Sequence, residues 1–199
     1  MKRKWIAIGL SALLALAVAS VAGAHRITTI EGTHGPDVLT GTPGDDRIWA
    51  KRGNDTVNAL EGNDRVHAGG GDDTVDGGPG NDRIRGSWGN DTLNGGDGND
   101  FVGARRGNDT VDGGAGEDRL WVGRGTDVLR GGDGDDRLHM IANDDDIDNA
   151  DCGPGNDVVW VNALESDVHV NCETIKTVIV TSSGGELLTT TRRTPIIIN

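Results

Sequence analysis

Apolar and polar positions recur along this chain with a period that belongs to neither a helix nor an ordinary long strand. An aliphatic side chain returns every nine residues at Leu39, Ile48, Val57, Val66, Val75, Ile84, Leu93, Val102, Val111, Leu120, Leu129, Leu138 and Ile147, and Val159 follows three residues out of step. Most of these are flanked by Thr or Arg on one side and by a polar or aromatic residue on the other, and glycine-rich turns separate them. An apolar position between two outward ones, bounded by glycines, predicts a three-residue strand with one inward side chain in every nonapeptide.

Outward residues carry a second period of eighteen. Thr56, Thr74, Thr92 and Thr110 alternate with Arg47, Arg65, Arg83, Arg119 and Arg137, the Arg series being broken at Phe101. Position by position, Asn58, Asp76, Asn94 and Asp112 alternate with Trp49, His67, Arg85, Trp121 and His139. Eighteen residues therefore make one full coil with two unlike faces. This predicts an all-β, two-sheet solenoid of parallel strands, right-handed by the usual crossover preference, with coils stacked roughly 4.8 Å apart.

Composition makes the period necessary. With 33 glycines in 199 residues, five Trp, one Phe and a formal charge of -13, the chain lacks the apolar content that offsets the entropy of folding. Such a chain orders only through strict repetition or a bound ligand. The acidic balance also argues against nucleic acid and anionic membranes as partners and favours cations.

The ends differ from the repeat. Lys2, Arg3 and Lys4, the apolar run from Trp5 to Val18 and the Ala22-Gly23-Ala24 ending read as a bacterial-type secretory signal peptide cleaved after Ala24. An uncleaved membrane anchor is the alternative that the small-residue site disfavours. Cleavage removes three positive charges, taking the formal charge from -13 to -16, and leaves no segment apolar enough for a membrane span. The expected organisation is a signal peptide at 1–24, repeats at 25–149, a last rung and capping segment at 150–180, and a tail at 181–199. The tail is either an added strand or a disordered extension. Cys152 and Cys172, in an oxidising compartment, are expected to form a disulfide worth about 3 kcal/mol, with two free buried thiols as the alternative.

Candidate chemistry lies in the turns. A glycine recurs at 35, 44, 53, 62, 71, 80, 89, 98, 107, 116, 125 and 134, and an aspartate follows each one two residues later. Stacking would bring Asp82 and Asp100 within a few Å, where two carboxylates repel unless a cation lies between them. Carboxylate and carbonyl oxygens are hard donors that suit calcium better than magnesium, zinc or copper.

The turns GGPGNDRI, GGDGNDFV, GGAGEDRL and GGDGDDRL resemble the GGxGxDxUx nonapeptide of the RTX, or haemolysin-type calcium-binding, repeats. The resemblance spans residues 33 to 159 and implies a parallel β-roll in which aspartates of adjacent turns and the carbonyls between them chelate several Ca2+ ions. It assigns that role to Asp46, Asp64, Asp82, Asp100, Asp118 and Asp136, with backbone from Gly78, Gly80, Gly96, Gly98, Gly114, Gly116, Gly132 and Gly134. Asp37, Asp55, Asp73, Asp91, Asp109, Asp127 and Asp145 line the other edge, whose turns (AKRGND, GSWGND, ARRGND, VGRGTD) depart from the double glycine. There Lys51, Arg52, Arg105, Arg106 and Arg124 are expected to neutralise part of the charge. With an N-terminal signal, such a chain would cross the membrane unfolded and fold on calcium outside the cell.

No serine, cysteine or histidine has a plausible base partner at a recognisable spacing, so no catalytic residue is expected. Two outward faces remain as candidate surfaces. The Arg/Trp face suits an acidic glycan, and the Thr-x-Asn/Asp ladder suits an ordered lattice such as ice or is simply a solvated β-surface.

Overall fold

The computed structural model describes residues 5–6, 27–140, 146–162, 167–178 and 189–193. These residues form two sheets and, among them, no helix. The first sheet runs β1 (Trp5–Ile6), β2 (Thr28–Glu31), β4 (Asp46–Arg52), β6 (Arg65–Gly70), β8 (Arg83–Trp88), β10 (Phe101–Gly103), β12 (Arg119–Trp121), β14 (Arg137–Met140), β16 (Val158–Asn162), β18 (Thr174–Val178) and β19 (Thr189–Arg193). The second runs β3 (Val38–Thr40), β5 (Thr56–Asn58), β7 (Thr74–Pro79), β9 (Thr92–Asp97), β11 (Thr110–Ala115), β13 (Val128–Asp133), β15 (Asn149–Asp151) and β17 (Val168–Val170). From β2 to β18 the strands alternate between sheets, and every strand pairing but that of β18 with β19 is parallel, giving a β-solenoid of about eight turns.

Register follows the eighteen-residue period. Val57 lies beside Val75, which lies beside Leu93 and then Val111, while Ile48, Val66, Ile84, Val102, Leu120 and Leu138 form the facing row. All are buried, and each contributes about 1.5–3 kcal/mol by leaving water.

Several strands are longer than three residues and present a second inward position. Ala50, Ala59, Ala68, Gly77, Gly86, Gly95, Ala104, Gly113, Val122, Gly131 and Met140 point into the core two residues after the aliphatic one. A spacing of two returns a side chain to the same sheet face, so the core is two positions wide, one large and one mostly small. The stack also begins earlier than the glycine register, since Ile30 packs on the core beside Ile48.

The expected inward role of Ile147 is corrected: it is exposed, and Ala150 fills the core beside Leu129. A coil of twenty-one residues replaces the usual eighteen between Asp127 and Asp148. The extra three residues fall between Leu138, which keeps the eighteen-residue step from Leu120, and Ala150, which pairs with Leu129. Asp145 lies outside the described residues.

At the C-terminal end Val159 and Val161 continue the core, and Thr189–Arg193 of the tail adds an antiparallel strand on β18. Cys152 and Cys172 are joined by a disulfide between the last two coils of the second sheet. Most of the segment 1–24 lies outside the described residues. Trp5–Ile6 pairs with β2 in the full chain, and cleavage after Ala24 would leave β2 as the sheet edge.

Candidate metal-binding turns

Each turn aspartate stands immediately before its strand or, at Asp46, opens it, and from Asp55 and Asp64 onward its side chain reaches back toward the coil before it. The backbone N–H of Asp46 donates to Asp64 Oδ1 (2.7 Å), Asp64 to Asp82 (2.7 Å), Asp82 to Asp100 (2.7 Å), Asp100 to Asp118 (2.8 Å) and Asp118 to Asp136 (2.9 Å). On the other edge the same bonds link Asp37, Asp55, Asp73, Asp91, Asp109 and Asp127 in order, at 2.8–3.0 Å. The structure thus brings the sequence-predicted aspartates, Asp145 aside, into two continuous ladders.

Only one oxygen of each carboxylate is used in this way. Oδ2 of Asp55, Asp64, Asp73, Asp82, Asp91, Asp100, Asp109, Asp118, Asp136 and Asp157 is buried and accepts no hydrogen bond. A buried carboxylate oxygen with no donor is costly, and one repeated at every turn calls for a cation. Burial, reinforced by neighbouring carboxylates, pushes Asp82, Asp91, Asp118 and Asp136 up to about 7. Burial likewise raises Asp64, Asp73, Asp100 and Asp109 to about 6. At the N-terminal end the chain supplies its own donors: Thr33 N–H and hydroxyl bond Asp37 Oδ2, and Thr42 does the same for Asp46.

Glycine decides what stands beside each orphaned oxygen. A Cβ on Gly77 would strike Asp82 Oδ2 and the Gly95 carbonyl oxygen together. Gly95 stands in the same relation to Asp100 and Gly113, Gly113 to Asp118 and Gly131, and Gly131 to Asp136 and Cys152. Four contiguous cradles on this edge therefore hold a carboxylate oxygen and a carbonyl oxygen of the next coil against a bare Cα. The second glycine of each doublet, at 78, 96, 114 and 132, has φ between 91° and 110° and sits on a carbonyl of the coil before it. Gly80, Gly98, Gly116 and Gly134 repeat this two residues on.

The other edge has the ladder without the row of cradles. The residue five before its aspartates is Ala50, Ala68, Ala104 or Val122, whose side chains fill the core, except at Gly86 beside Asp91 and at Gly32, where a Cβ would meet Asp37 Oδ2 and the Ala50 carbonyl oxygen. Lys51 does not reach the ladder but donates to the Gly32 carbonyl at 2.6 Å and pairs with Glu31 at 3.5 Å.

Outside the aspartates runs a further ladder of opposite sense. Asn81 N–H donates to Asn63 Oδ1, Asn99 to Asn81, Asn90 to Asp72 and Asn108 to Asn90, so these side chains point toward the following coil. Asparagine satisfies the backbone there without adding charge beside the buried carboxylates.

The donors in the cradles are carboxylate and peptide oxygens, as a hard divalent ion with about six to eight oxygen ligands requires. Among the described residues no three His, Cys, Asp or Glu side chains converge on one point, so a metal here must draw much of its shell from the backbone. The RTX calcium-binding nonapeptide repeat model matches in four copies, over residues 31–66, 51–84, 67–102 and 103–139. Together these matches run from 31 to 139, which is 109 of the 199 residues. The chain belongs to the RTX calcium-binding nonapeptide-repeat family. A comparison with curated proteins found no matching relative. RTX repeats bind calcium, and the cradles fit that ion.

Four ladder members escape a reading tied to a nine-residue step. Asp127 N–H donates to Asp148, Asp148 to Asp167, Asp136 to Asp157, and Asp157 to Glu173 Oε2. The signal for Asp157 was present as Gly155-Asn156-Asp157; nothing in the sequence marks Glu173.

Proposed function

We propose that this RTX protein is a secreted calcium-binding β-roll that holds several ions between adjacent coils and folds as they bind. The carrying observation is the row of cradles at Gly77, Gly95, Gly113 and Gly131, where an unpartnered buried carboxylate oxygen meets a carbonyl oxygen. Asp82, Asp100, Asp118 and Asp136 provide the charge and the glycine turns provide carbonyls. Bound calcium supplies positive charge that offsets the carboxylate repulsion. The other edge, lacking most of the cradles, takes fewer ions or weaker ones. Extracellular modules of this kind hold calcium at roughly 0.1–1 mM. The test is a calcium titration of the chain purified in EDTA, followed by far-ultraviolet circular dichroism and calorimetry. β-Structure should rise cooperatively with several ions bound, whereas a spectrum indifferent to calcium would sink the reading.

A second reading concerns the first sheet's outer face, where one observation favours a polyanionic glycan. Arg47, Arg65, Arg83, Arg119 and Arg137 are exposed and in register, and among the described residues none of them has a carboxylate partner. Beside them Phe101, Trp121, His139 and Trp160 stack at 4.1–4.6 Å with Lys176 over the last ring, so the ring faces are covered by one another. Recognition would therefore rest chiefly on guanidinium forks, with the exposed ring of Trp49 left for sugar stacking. Binding to a polyuronate should weaken steeply with salt, and Arg65→Ala/Arg83→Ala should reduce it; equal binding to a neutral glucan would count against the idea.

A further inference from the structure

The residue just before the turn glycine differs in charge between the two edges. On the edge with the row of cradles it is Glu61, Pro79, Asp97, Ala115 and Asp133, and on the other it is Arg52, Gly70, Trp88, Arg106 and Arg124. The latter five lie side by side on successive coils, and all but Gly70 are exposed. Rungs of a parallel sheet are about 4.8 Å apart, so the row runs for about 19 Å. These arginines do not neutralise the aspartate ladder beside them, as their position in the sequence suggested. Among the described residues Arg52, Arg105, Arg106 and Arg124 form no ion pair with a carboxylate. Burial raises Asp55, Asp73, Asp91 and Asp109, and no arginine lowers any of them. Two residues on from the row, Asp72 is the one carboxylate, and its Oδ1 accepts the Asn90 N–H at 2.8 Å. Nor does the acidic total oppose an anionic ligand. Of the 32 acidic residues 13 are buried aspartates of the two ladders, and the other 19 match the 19 Lys and Arg.

Gly70 leaves a gap in this row. Its φ is not positive and nothing lies within 4 Å of its Cβ position, so neither the backbone nor the packing requires a glycine there. Arg52 and Trp88 flank the gap, one coil to either side, and Trp88 is 64 % exposed against 48 % for Trp49. Lys51 and Ser87, the residues immediately before these two walls, have φ 87° and 98°. Positive φ at a residue with a Cβ is strained, and strain of this kind clusters at ligand clamps. Two rungs set the walls about 9.6 Å apart at the backbone. A planar base touching both walls, at about 3.5–4.0 Å on each side, fills only about 7–8 Å. A puckered pyranose ring is thicker and fills the rest. Beyond Trp88, Arg106 and Arg124 set two guanidinium groups in line with the slot, and guanidinium forks suit a carboxylate.

We propose that this edge is a binding groove for an extended acidic polysaccharide, in which one sugar ring lies over Gly70 between Arg52 and Trp88 while Arg106 and Arg124 hold the carboxylate of a neighbouring sugar. This rests on the polyanionic-glycan reading above and adds to the outer face a subsite with its own ring contact. The slot supplies the shape selection that a row of arginines lacks, because it admits a single ring at a single coil. The arginines beyond it supply the charge selection, because a neutral sugar chain offers them no carboxylate.

The experiment uses the full chain in calcium, with an oligoglucuronate hexamer and cellohexaose, the same backbone without carboxylates, as probes in calorimetry and tryptophan fluorescence. The oligoglucuronate should bind, less tightly as salt rises, and cellohexaose should not. Gly70→Leu fills the slot at a position where the fold has room, and Trp88→Ala removes one wall. Each should weaken oligoglucuronate binding about tenfold, the loss of one ring contact, with calcium stoichiometry and circular dichroism unchanged. Arg106→Ala/Arg124→Ala should weaken it as well and flatten its salt dependence. Parental affinity in Trp88→Ala, or in a folded Gly70→Leu, would overturn the proposal. So would equal binding of cellohexaose, or tighter binding of oligothymidylate, which would assign the slot to a nucleic acid. If Arg65→Ala/Arg83→Ala abolishes binding and the edge variants do not, the outer face takes the glycan and the edge subsite alone is wrong. A parent chain that does not bind the oligoglucuronate would refute the glycan reading itself and the subsite with it. Should Gly70→Leu disturb the fold, Trp88→Ala, which removes an exposed side chain, still decides the matter.

Discussion

A single methyl group at residue 95 would collide with Asp100 Oδ2 and with the Gly113 carbonyl oxygen, the two atoms that make a cradle. Gly95→Ala should therefore abolish one calcium site and cost about 1–3 kcal/mol from overpacking alone, read by calorimetry and urea unfolding. Gly103→Ala is the matched control: nothing lies within 4 Å of its Cβ position, and it should leave calcium stoichiometry and stability nearly unchanged. The reverse case is Ser87, which occupies a doublet-glycine position at φ 98° with an L side chain. That conformation costs about 1–2 kcal/mol for a residue with a Cβ, so Ser87→Gly should raise the unfolding free energy by about 1 kcal/mol. No change, or a loss, would mean that the serine side chain has contacts that offset the strain.

At the scale of the strand and turn, what was legible in the sequence was whatever repeats. The eighteen-residue period gave the two sheets, the aliphatic rows and both edges, because one inward side chain per nonapeptide leaves little freedom of register. The second inward position was not legible, since Ala50, Gly77 and Ala104 look like ordinary turn residues until the strand is seen to extend through them. Nor was the exit of Ile147 from the core, because a three-residue insertion carries no hydrophobic mark. Which edge has cradles was half legible in the glycine doublets, and the structure adds the reason in the side chains of Ala68, Ala104 and Val122. The ladders also fix a pH dependence. Asp82, Asp91, Asp118 and Asp136 rise from 3.8 to about 7 in the ion-free fold, so that fold binds more protons than the unfolded chain. Their contribution is fully present below 3.8 and is lost as pH rises through about 7. In EDTA, β-structure should be greater at about pH 5 than at about pH 8, whereas apparent calcium affinity should be lower at about pH 5 than at about pH 8, because protons compete for the carboxylates. An EDTA form more ordered at the higher pH would contradict the ladder electrostatics.

Across the whole molecule, 32 acidic residues against 19 basic ones are tolerable only because the buried carboxylates are arranged in rows. A row makes its members unequal. Asp100 lies between Asp82 and Asp118, with a cradle of its own and with its Oδ1 accepting the N–H of the coil before it, so it touches the environment of two ions. Asp46, at the start of the same row, has Oδ2 already held by the Thr42 N–H at 2.5 Å and by the Thr42 hydroxyl at 3.1 Å. The two positions carry the same residue in the same repeat and should nonetheless respond differently. Asp100→Asn should lower the calcium stoichiometry by about one to two ions and broaden the folding transition, because the stack is divided where its neighbour-to-neighbour coupling is continuous. Asp46→Asn should leave the stoichiometry unchanged, since the asparagine oxygen can keep the threonine bonds. Equilibrium dialysis of the two variants beside the parent separates the cases. Equal losses would show that ions bind at every aspartate of the row whether or not its second oxygen is unpartnered.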